Sequence, residues 1–544
     1  MVSRMLYVPT IVAKVWSACL NALLSAGCGH RHESSHNRRT RWQLSLPALA
    51  VTLFVCVILR RAWMCDDAFI TVRAVQNLFA GHHFAYNADE RVQAFTNPLW
   101  ALVLALPVGL FDAPFWGPIL TGIVISGIAV AALTRQGAVS NVVGALAVAL
   151  LCFSKSFVDF STSGLENPLT HLLLVLVSGE LFRARVRLAV LGFYASLAFV
   201  NRMDTLLLTL PIILAVLLRT RNRWDVYRAL FGFAPAPIWV LFSVVYYGFP
   251  FPNSAYAKLN LSIPRTELVQ QGLAYAFDAL VHDPVLVILI ALGSFVGLAT
   301  PRSRGTALSL VLAMLLYATY IVSIGGDFMS GRLWTPVLTL AMVLIVRFSD
   351  VWLNSPTRLW AASVTAAVLA LCSPFMPLRE GPSQETSKVP PSGVANERAW
   401  YQDLAAWKNV RVKSWHSQGF YAEGLRAAAT HNRVHVFGYI GQFGMALGPA
   451  VHVIDDLALA DALLARITFK PRSTWRIGHY KRDVPPGYVD SVKTGQNLIV
   501  DKCVHEYFED LREITYGNIW SLKRWGAIWR LNQPKNLTVK YCPS

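Results

Sequence analysis

Charge is scarce in this chain. Asp, Glu, Lys and Arg make up 15% of 544 residues and hydrophobic residues 54%, whereas soluble domains carry about 25% charged residues. So much apolar surface has to be shielded by lipid, which excludes an ordinary soluble protein. A Gly-rich P-loop pattern is also missing, and with it any expectation of a nucleotide fold. The eight cysteines fall at no metal-ligand spacing, which removes the zinc classes that such spacing announces. Basic residues exceed acidic ones, 49 to 31. They gather in short loops and line no helix face, so the excess is no nucleic-acid footprint.

What the chain has in abundance is apolar runs. They lie near 44–62, 98–111, 116–133, 138–153, 168–182, 188–201, 205–218, 229–247, 284–299, 306–323, 334–348 and 359–376. With a mean hydropathy of +0.43, this is the pattern of a polytopic membrane protein. Basic clusters separate the runs: Arg38, Arg39 and Arg41; Arg183, Arg185 and Arg187; Arg219, Arg221 and Arg223; Arg302 and Arg304; Arg347 and Arg358. The positive-inside preference assigns all of them to the cytoplasm. They agree with one another only if 98–111 does not cross, and we read it as a juxtamembrane or re-entrant helix introduced by Asn97-Pro98. About eleven spans follow, allowing for lengths below the roughly 20 residues a crossing prefers, with a cytoplasmic N-terminus and an exported C-terminus. Segment 1–27 reads as an interfacial helix or an extended start. Ser25-Ala26-Gly27-Cys28 has the form of a lipoprotein cleavage site, but cleavage there would export the Arg-rich stretch behind it.

Residues 1–43 are thus expected to form a cytoplasmic segment and 44–376 the transmembrane module. Segment 377–397, rich in Pro, Ser and Gly, reads as a linker, and 398–544, with frequent charges and no spanning run, as a soluble domain outside the cytoplasm. Alternation at 434–437 and 497–500 predicts strands, and helical spacing over 398–409 and 456–466 predicts helices, which makes it a small α/β module. Cys503 and Cys542 share it, and an oxidising compartment would permit them to pair.

The chemistry falls in the outer loops. An ionised carboxylate costs about 2.5–3.5 kcal/mol at the centre of a spanning helix, so acidic residues persist at the interface or for function. The first outer loop carries Asp66, Asp67, Arg73, Asn87, Glu90, Arg91, Thr96 and Asn97. Arg73 follows the acidic pair by nearly two helical turns, so one helix face would carry carboxylate and guanidinium to the same cleft, or join them in a solvated salt bridge. Glu166 precedes Asn167-Pro168, which is also a plain helix start, and Arg202 and Asp204 close the next outer turn. In the 248–282 loop, Pro250 and Pro252 hold the backbone extended. Asn253, Tyr256 and Lys258 would then line a groove or an aromatic interface belt. Gly325 and Gly326 let backbone amides approach an anion beside Asp327 and Arg332; Arg332 would pair with a phosphate there, or simply bridge to Asp327. A secondary transporter would instead keep such residues at the bilayer midplane in matching halves, and the halves here do not match.

Taken in order, DDAFITVRAVQNLFAGHHFAYNADERVQAFTNPLW, SGLENP, FPNSAYAK, GGDFMSGR, VIDDLALADALL and WRIGHYKRDVPPGYV resemble the actinobacterial terminal β-(1→2)-arabinofuranosyltransferases and their wider bacterial relatives, of the glycosyltransferase C superfamily. The likeness runs from about residue 44 to 500. It implies a polytopic α-helical membrane protein of glycosyltransferase C type with a C-terminal α/β exported domain. It also implies a polyprenyl-phosphate sugar donor, a cell-envelope glycan or glycolipid acceptor outside the cytoplasmic membrane, and an active-site acid after the first span, here Asp66 or Asp67. General chemistry agrees. A sugar hydroxyl is a weak nucleophile, so a carboxylate should accept its proton during attack. The departing lipid monophosphate needs cations, for which Arg73, Arg202, Lys258 and Arg332 are the outer-face candidates. No cofactor is required, although two aspartates would accommodate a bridging divalent cation. Arabinofuranose is the sugar the resemblance favours; transfer of a hexose or aminosugar to lipid A or protein is the alternative.

Overall fold

A computed structural model describes residues 37–136, 141–220, 222–300, 304–353, 375–378, 389–405, 419–471 and 475–542, with scattered positions between 355 and 371. The Ser25-Ala26-Gly27-Cys28 stretch, Arg221, Arg302 and much of 359–376 lie outside them. Helix dominates. Pro98, Pro168, Pro235, Pro284 and Pro336 each sit in the first turn of one, where the missing N–H would have had no partner. At the centre runs Thr335–Arg347, buried almost throughout and packed on Pro284–Ala299, Asn167–Leu181 and Arg304–Ser323. The His171 Nε2 and Asn167 Nδ2 atoms reach its Thr335 hydroxyl at 2.9 and 3.1 Å.

Among the described residues Trp116–Thr134 and Gly305–Ser323 are each long and apolar enough to cross a bilayer, and two bent pairs pass the same test together: Arg223–Gly232 with Pro235–Tyr247 and Arg265–His282 with Pro284–Ala299. Five further apolar helices are shorter. Side chains such as Leu214, Phe231, Ile238, Leu241 and Phe295 stay exposed on these helices, as befits a protein bathed in lipid. It is a membrane protein. Pro98–Leu104 continues as a π-turn, Ala105–Leu110, in which Pro107 has no N–H to give. Together they rise about 20 Å, short of the roughly 30 Å of hydrocarbon. The stretch 248–282, read from sequence as a loop, is mostly helix: Asn253–Leu259 and Arg265–His282. Its end is sharp because the Asp283 carboxylate takes the N–H of Leu286 and restarts the chain at 105°.

Leu188–Asn201 and Arg223–Gly232 meet backbone to backbone. A Cβ at Gly192 would fall 2.3 Å from the Ala229 carbonyl oxygen, and one at Gly232 2.0 Å from that of Ala189. Only the smallest side chain permits this crossing. Gly232→Val should therefore lose most of its monodisperse yield in detergent, read by size-exclusion chromatography; a normal peak would show that the helices separate harmlessly.

The C-terminal region holds two parallel strands, β1 (Val434–Val436) and β2 (His452–Ile454), connected through the helix Ile440–Leu447. Segment 497–500, expected as a strand, is coil: the Ser491 hydroxyl takes the N–H of Leu498 and the Asn497 side-chain oxygen Oδ1 that of Ile499. Segment 456–466, expected as a helix, is a run of turns ending in the short 3-10 helix Leu464–Arg466. Asp455 explains it, since its carboxylate captures the N–H groups of Leu457, Leu459 and Ala460 and competes with a helical ladder. Helix Glu397–Ala405 forms as expected over its described part. The core of this region also takes in Val92, Phe249 and Tyr256 from the outer loops. Cys503 and Cys542 are joined, closing a separation of 39 residues. Opening that loop costs about 2–4 kcal/mol, so a reductant should lower the melting temperature of this region; unchanged melting would make the bridge dispensable.

Candidate active site

The turn leading to Asp66–Phe79 is pinned to the 159–164 loop: the Trp63 Nε1–H donates to the Asp159 carbonyl at 2.8 Å and the Cys65 N–H to that of Ser163 at 3.0 Å. The acidic pair is thereby set in the wall of a cavity of about 220 Å³. There the two neighbours part. Asp66 Oδ2 and Oδ1 accept the N–H groups of Gly441 at 2.9 Å and Gln442 at 2.8 Å, in the first turn of Ile440–Leu447, where the helix dipole favours an anion. Gly441 is needed for this approach, since a Cβ would stand 1.9 Å from the Asp66 carbonyl oxygen. Among the described residues Asp67 accepts no hydrogen bond and forms no ion pair, and it faces the cavity. Burial raises Asp66 to about 7 against the pull of its two N–H donors, with Asp67 adding to the rise. Asp67 is raised too, by burial, against the attraction of Arg332 and Lys258.

The remaining walls come largely from the C-terminal region. Glu397 and Trp400 enter from Glu397–Ala405, Tyr439 from the start of Ile440–Leu447, and Arg476 and His479 from the segment after β2. Burial and the nearby Asp67 push Glu397 up to about 8, and burial with Arg476 pushes His479 down to about 4. Arg476 donates from Nε to the Gly393 carbonyl at 3.0 Å and lies over the Phe328 ring at 5.6 Å. The sequence reading does not single out these residues. Arg476 and His479 lie in WRIGHYKRDVPPGYV, a stretch marked by resemblance, but Glu397 falls in the segment read as linker and leaves no signal.

Several expected site residues form an ion network centred on Glu166. Its carboxylate, fully buried, meets Arg202 at 2.7 Å and Arg332 at 3.0 Å, and accepts from Asn97 Nδ2 at 2.8 Å. Arg202 also bridges Asp204, and Arg332 stands 3.6 Å from Asp327. Although burial opposes it, Arg332 and Arg202 hold Glu166 down at about 2. Arg332 and Arg202 thus arrive already paired: the Asp327–Arg332 bridge is one of the two readings the sequence allowed for that turn, while the shared partner Glu166 was not foreseen.

Other expected residues stitch segments 73–91 and 253–256 to the C-terminal region and stay out of the cavity. Arg73 does not share a cleft with the acidic pair: its guanidinium donates to the carbonyls of Tyr86, Gly444 and Val451 and stacks over the Tyr86 ring. Asn87 holds Glu90 and both polar backbone atoms' worth of Val453, donating to its carbonyl and accepting from its N–H. Arg91 donates to the Ile514 and Gly517 carbonyls. Asn253 donates to those of Ala458, Leu459 and Asp461, and Tyr256 lies under the Arg466 guanidinium at 4.3 Å. Lys258 is exposed and, among the described residues, has no partner. Asp501, Cys503 and Cys542 are the trio of ligand-type residues that converge most closely among the described residues, and both sulfurs are spent in the disulfide.

The chain is a distant homologue of glycosyltransferases. It is similar to the terminal beta-(1->2)-arabinofuranosyltransferase of Mycobacterium tuberculosis, 26% identical over 575 aligned positions that cover 82% of this chain and 87% of that protein. To the enzyme of the same description from Corynebacterium glutamicum it is 28% identical over 348 positions, 55% of this chain. The chain spans about half the length of that corynebacterial relative, 49%. No protein-family model matches the chain. Among solved structures, ArnT from Cupriavidus metallidurans bound to undecaprenyl phosphate aligns over 78% of this chain and 77% of that one, with 14% identity and a TM-score of 0.42.

Proposed function

We propose that this protein is a glycosyltransferase of the C type. It moves a sugar, arabinofuranose on the strength of its relatives, from a polyprenyl-phosphate donor to a cell-envelope glycan on the outer side of the cytoplasmic membrane. The observation that carries the reading is the division of the aspartate pair: both line the cavity, but each Asp66 oxygen is held by a backbone N–H while Asp67 has no partner among the described residues. An acceptor hydroxyl attacks the anomeric carbon and gives its proton to the Asp67 carboxylate. The bond from that carbon to the phosphate oxygen breaks, and its electron pair leaves with the lipid phosphate. Cations stabilise that charge as it grows. Arg476, on the cavity wall, and Lys258, whose charge reaches Asp67, are the cations we assign to it, while Arg332, held by Glu166, helps to fix the field around Asp67.

Purified protein in lipid, offered a panel of polyprenyl-phosphate sugars, should turn over the arabinofuranosyl donor. Turnover confined to a hexosyl or aminosugar donor would move the protein to the lipid A- or protein-modifying transferases, and lipid-linked sugar carried across the bilayer without transfer would make it a transporter. The scheme uses no cofactor. Activity lost in EDTA and restored by a divalent ion would add a cation bridged at the aspartate pair.

A further inference from the structure

We propose that Glu397, Trp400 and Tyr439 form the acceptor subsite, taking one ring of an uncharged glycan, with Glu397 hydrogen-bonded to a ring hydroxyl and the two aromatic side chains against its C–H faces. The proposal rests on the transferase reading above and names the ligand of one wall of that cavity.

Three observations carry it. Glu397 lines the cavity and, among the described residues, has no hydrogen bond and no ion pair, so its carboxyl is open to a ligand's hydroxyl; a buried polar group left without a partner costs about 1–3 kcal/mol. Among the charged groups that act on it most strongly, Asp67, Asp66 and Asp327 outnumber Arg476. That balance favours a neutral ligand against Glu397 itself. The same surroundings, with burial, raise Glu397 to about 8, so near neutral pH the carboxyl both donates and accepts, as a sugar hydroxyl does.

The third observation is the aromatic rim. Trp400 and Tyr439 line the cavity yet remain 44% and 40% exposed. Tyr439 is backed by Phe420, with the rings parallel within 5° and 4.6 Å apart, and its ring also meets His479 at 5.6 Å, so it is held in place while part of it stays open to the cavity. Rings of this kind offer large apolar area with little conformational freedom to lose. Lipid chains would also suit such a rim, but they offer nothing to the Glu397 carboxyl beside the aspartates.

The test uses purified protein in lipid, with an arabinofuranose hexasaccharide and a mannose hexasaccharide as probes. Glu397→Ala and Trp400→Ala should each raise the acceptor KM about tenfold and leave the donor KM within about twofold, and Glu397→Gln, which keeps a donor and an acceptor, should raise it less. A raised donor KM with an unchanged acceptor KM would overturn the proposal and give this wall to the lipid donor; neither KM moving would overturn it as well. Saturation-transfer NMR on the Asp67→Asn protein reads glycan binding without turnover. Binding lost in the Asp67→Asn/Glu397→Ala double variant supports the subsite even where the wild type transfers no sugar, which would sink only the transferase reading. Failure of both probes to bind, with transfer intact, sinks the subsite alone.

Discussion

Asp67→Asn is expected to reduce transfer by about 10²–10⁴-fold, the usual contribution of a general base, while the melting temperature stays near that of the wild type. The carboxamide keeps the shape of the side chain but cannot take the proton of the attacking hydroxyl. No protein group loses a bond, because Asp67 makes none. Asp66→Asn should behave differently. One of the N–H groups of Gly441 and Gln442 would then face an amide nitrogen, at a cost of about 1–3 kcal/mol, so the melting temperature falls and activity declines because Ile440–Leu447 shifts. Acidity gives a second reading. Asp67 is raised above the ordinary carboxylate range and must be ionised to act, so kcat/KM should fall as pH drops through that raised value and level off above it. Lys258 opposes the rise; removing its charge as Lys258→Gln should move the acid limb to higher pH. Full turnover in Asp67→Asn, with a loss in Asp66→Asn that leaves stability intact, would transfer the catalytic role to Asp66.

The acidic pair was legible in the sequence because carboxylates beside a spanning segment are rare. Their division was not. Successive helical residues point about 100° apart, and which of the two meets a backbone donor was decided by a helix 375 positions further along the chain. Glu166, Arg202 and Arg332 also stood out as isolated charges at outer loops. The sequence reading left Arg332 to a phosphate or to Asp327 and offered Arg202 as a further phosphate cation, but a fully buried carboxylate has to recruit cations, and Glu166 took both. Arg73 shows the reverse error: helical spacing to the acidic pair was sound, yet three carbonyls from other segments claimed its guanidinium. The cavity's aromatic wall was hidden for another reason. Trp400, Phe420 and Tyr439 come from short elements whose order in space is set by β1, β2 and the connecting helix, and no periodicity links them. In the helical part the apolar runs gave the elements, while Pro107, Pro235 and Asp283 fixed bends that hydropathy does not register.

Glu166→Gln is expected to be the most destabilising single change around the cavity. The carboxylate is fully buried and its two guanidinium partners are at most 17% exposed, so solvent cannot stand in for the lost charge. Removing one member of such a buried set costs about 3–5 kcal/mol, chiefly because the others stay charged and unpaired. Arg202 keeps Asp204, but Arg332 is left with Asp327 at 3.6 Å, and the two arginines then repel each other. The pH dependence has a definite sign. Glu166 is held down at about 2, below its value in an unfolded chain, so its contribution is complete above about pH 4–5 and is lost only as pH falls toward 2; the neutral-pH melting temperature therefore reads the whole effect. Replacing Arg332 as well, in Glu166→Gln/Arg332→Gln, removes the stranded charge and should recover part of the stability, a coupling that a double-mutant cycle measures. A Glu166→Gln protein that melts like the wild type would mean that Asp204 and Asp327 suffice for both arginines. Any loss of transfer in it would then report the altered field at Asp67 alone.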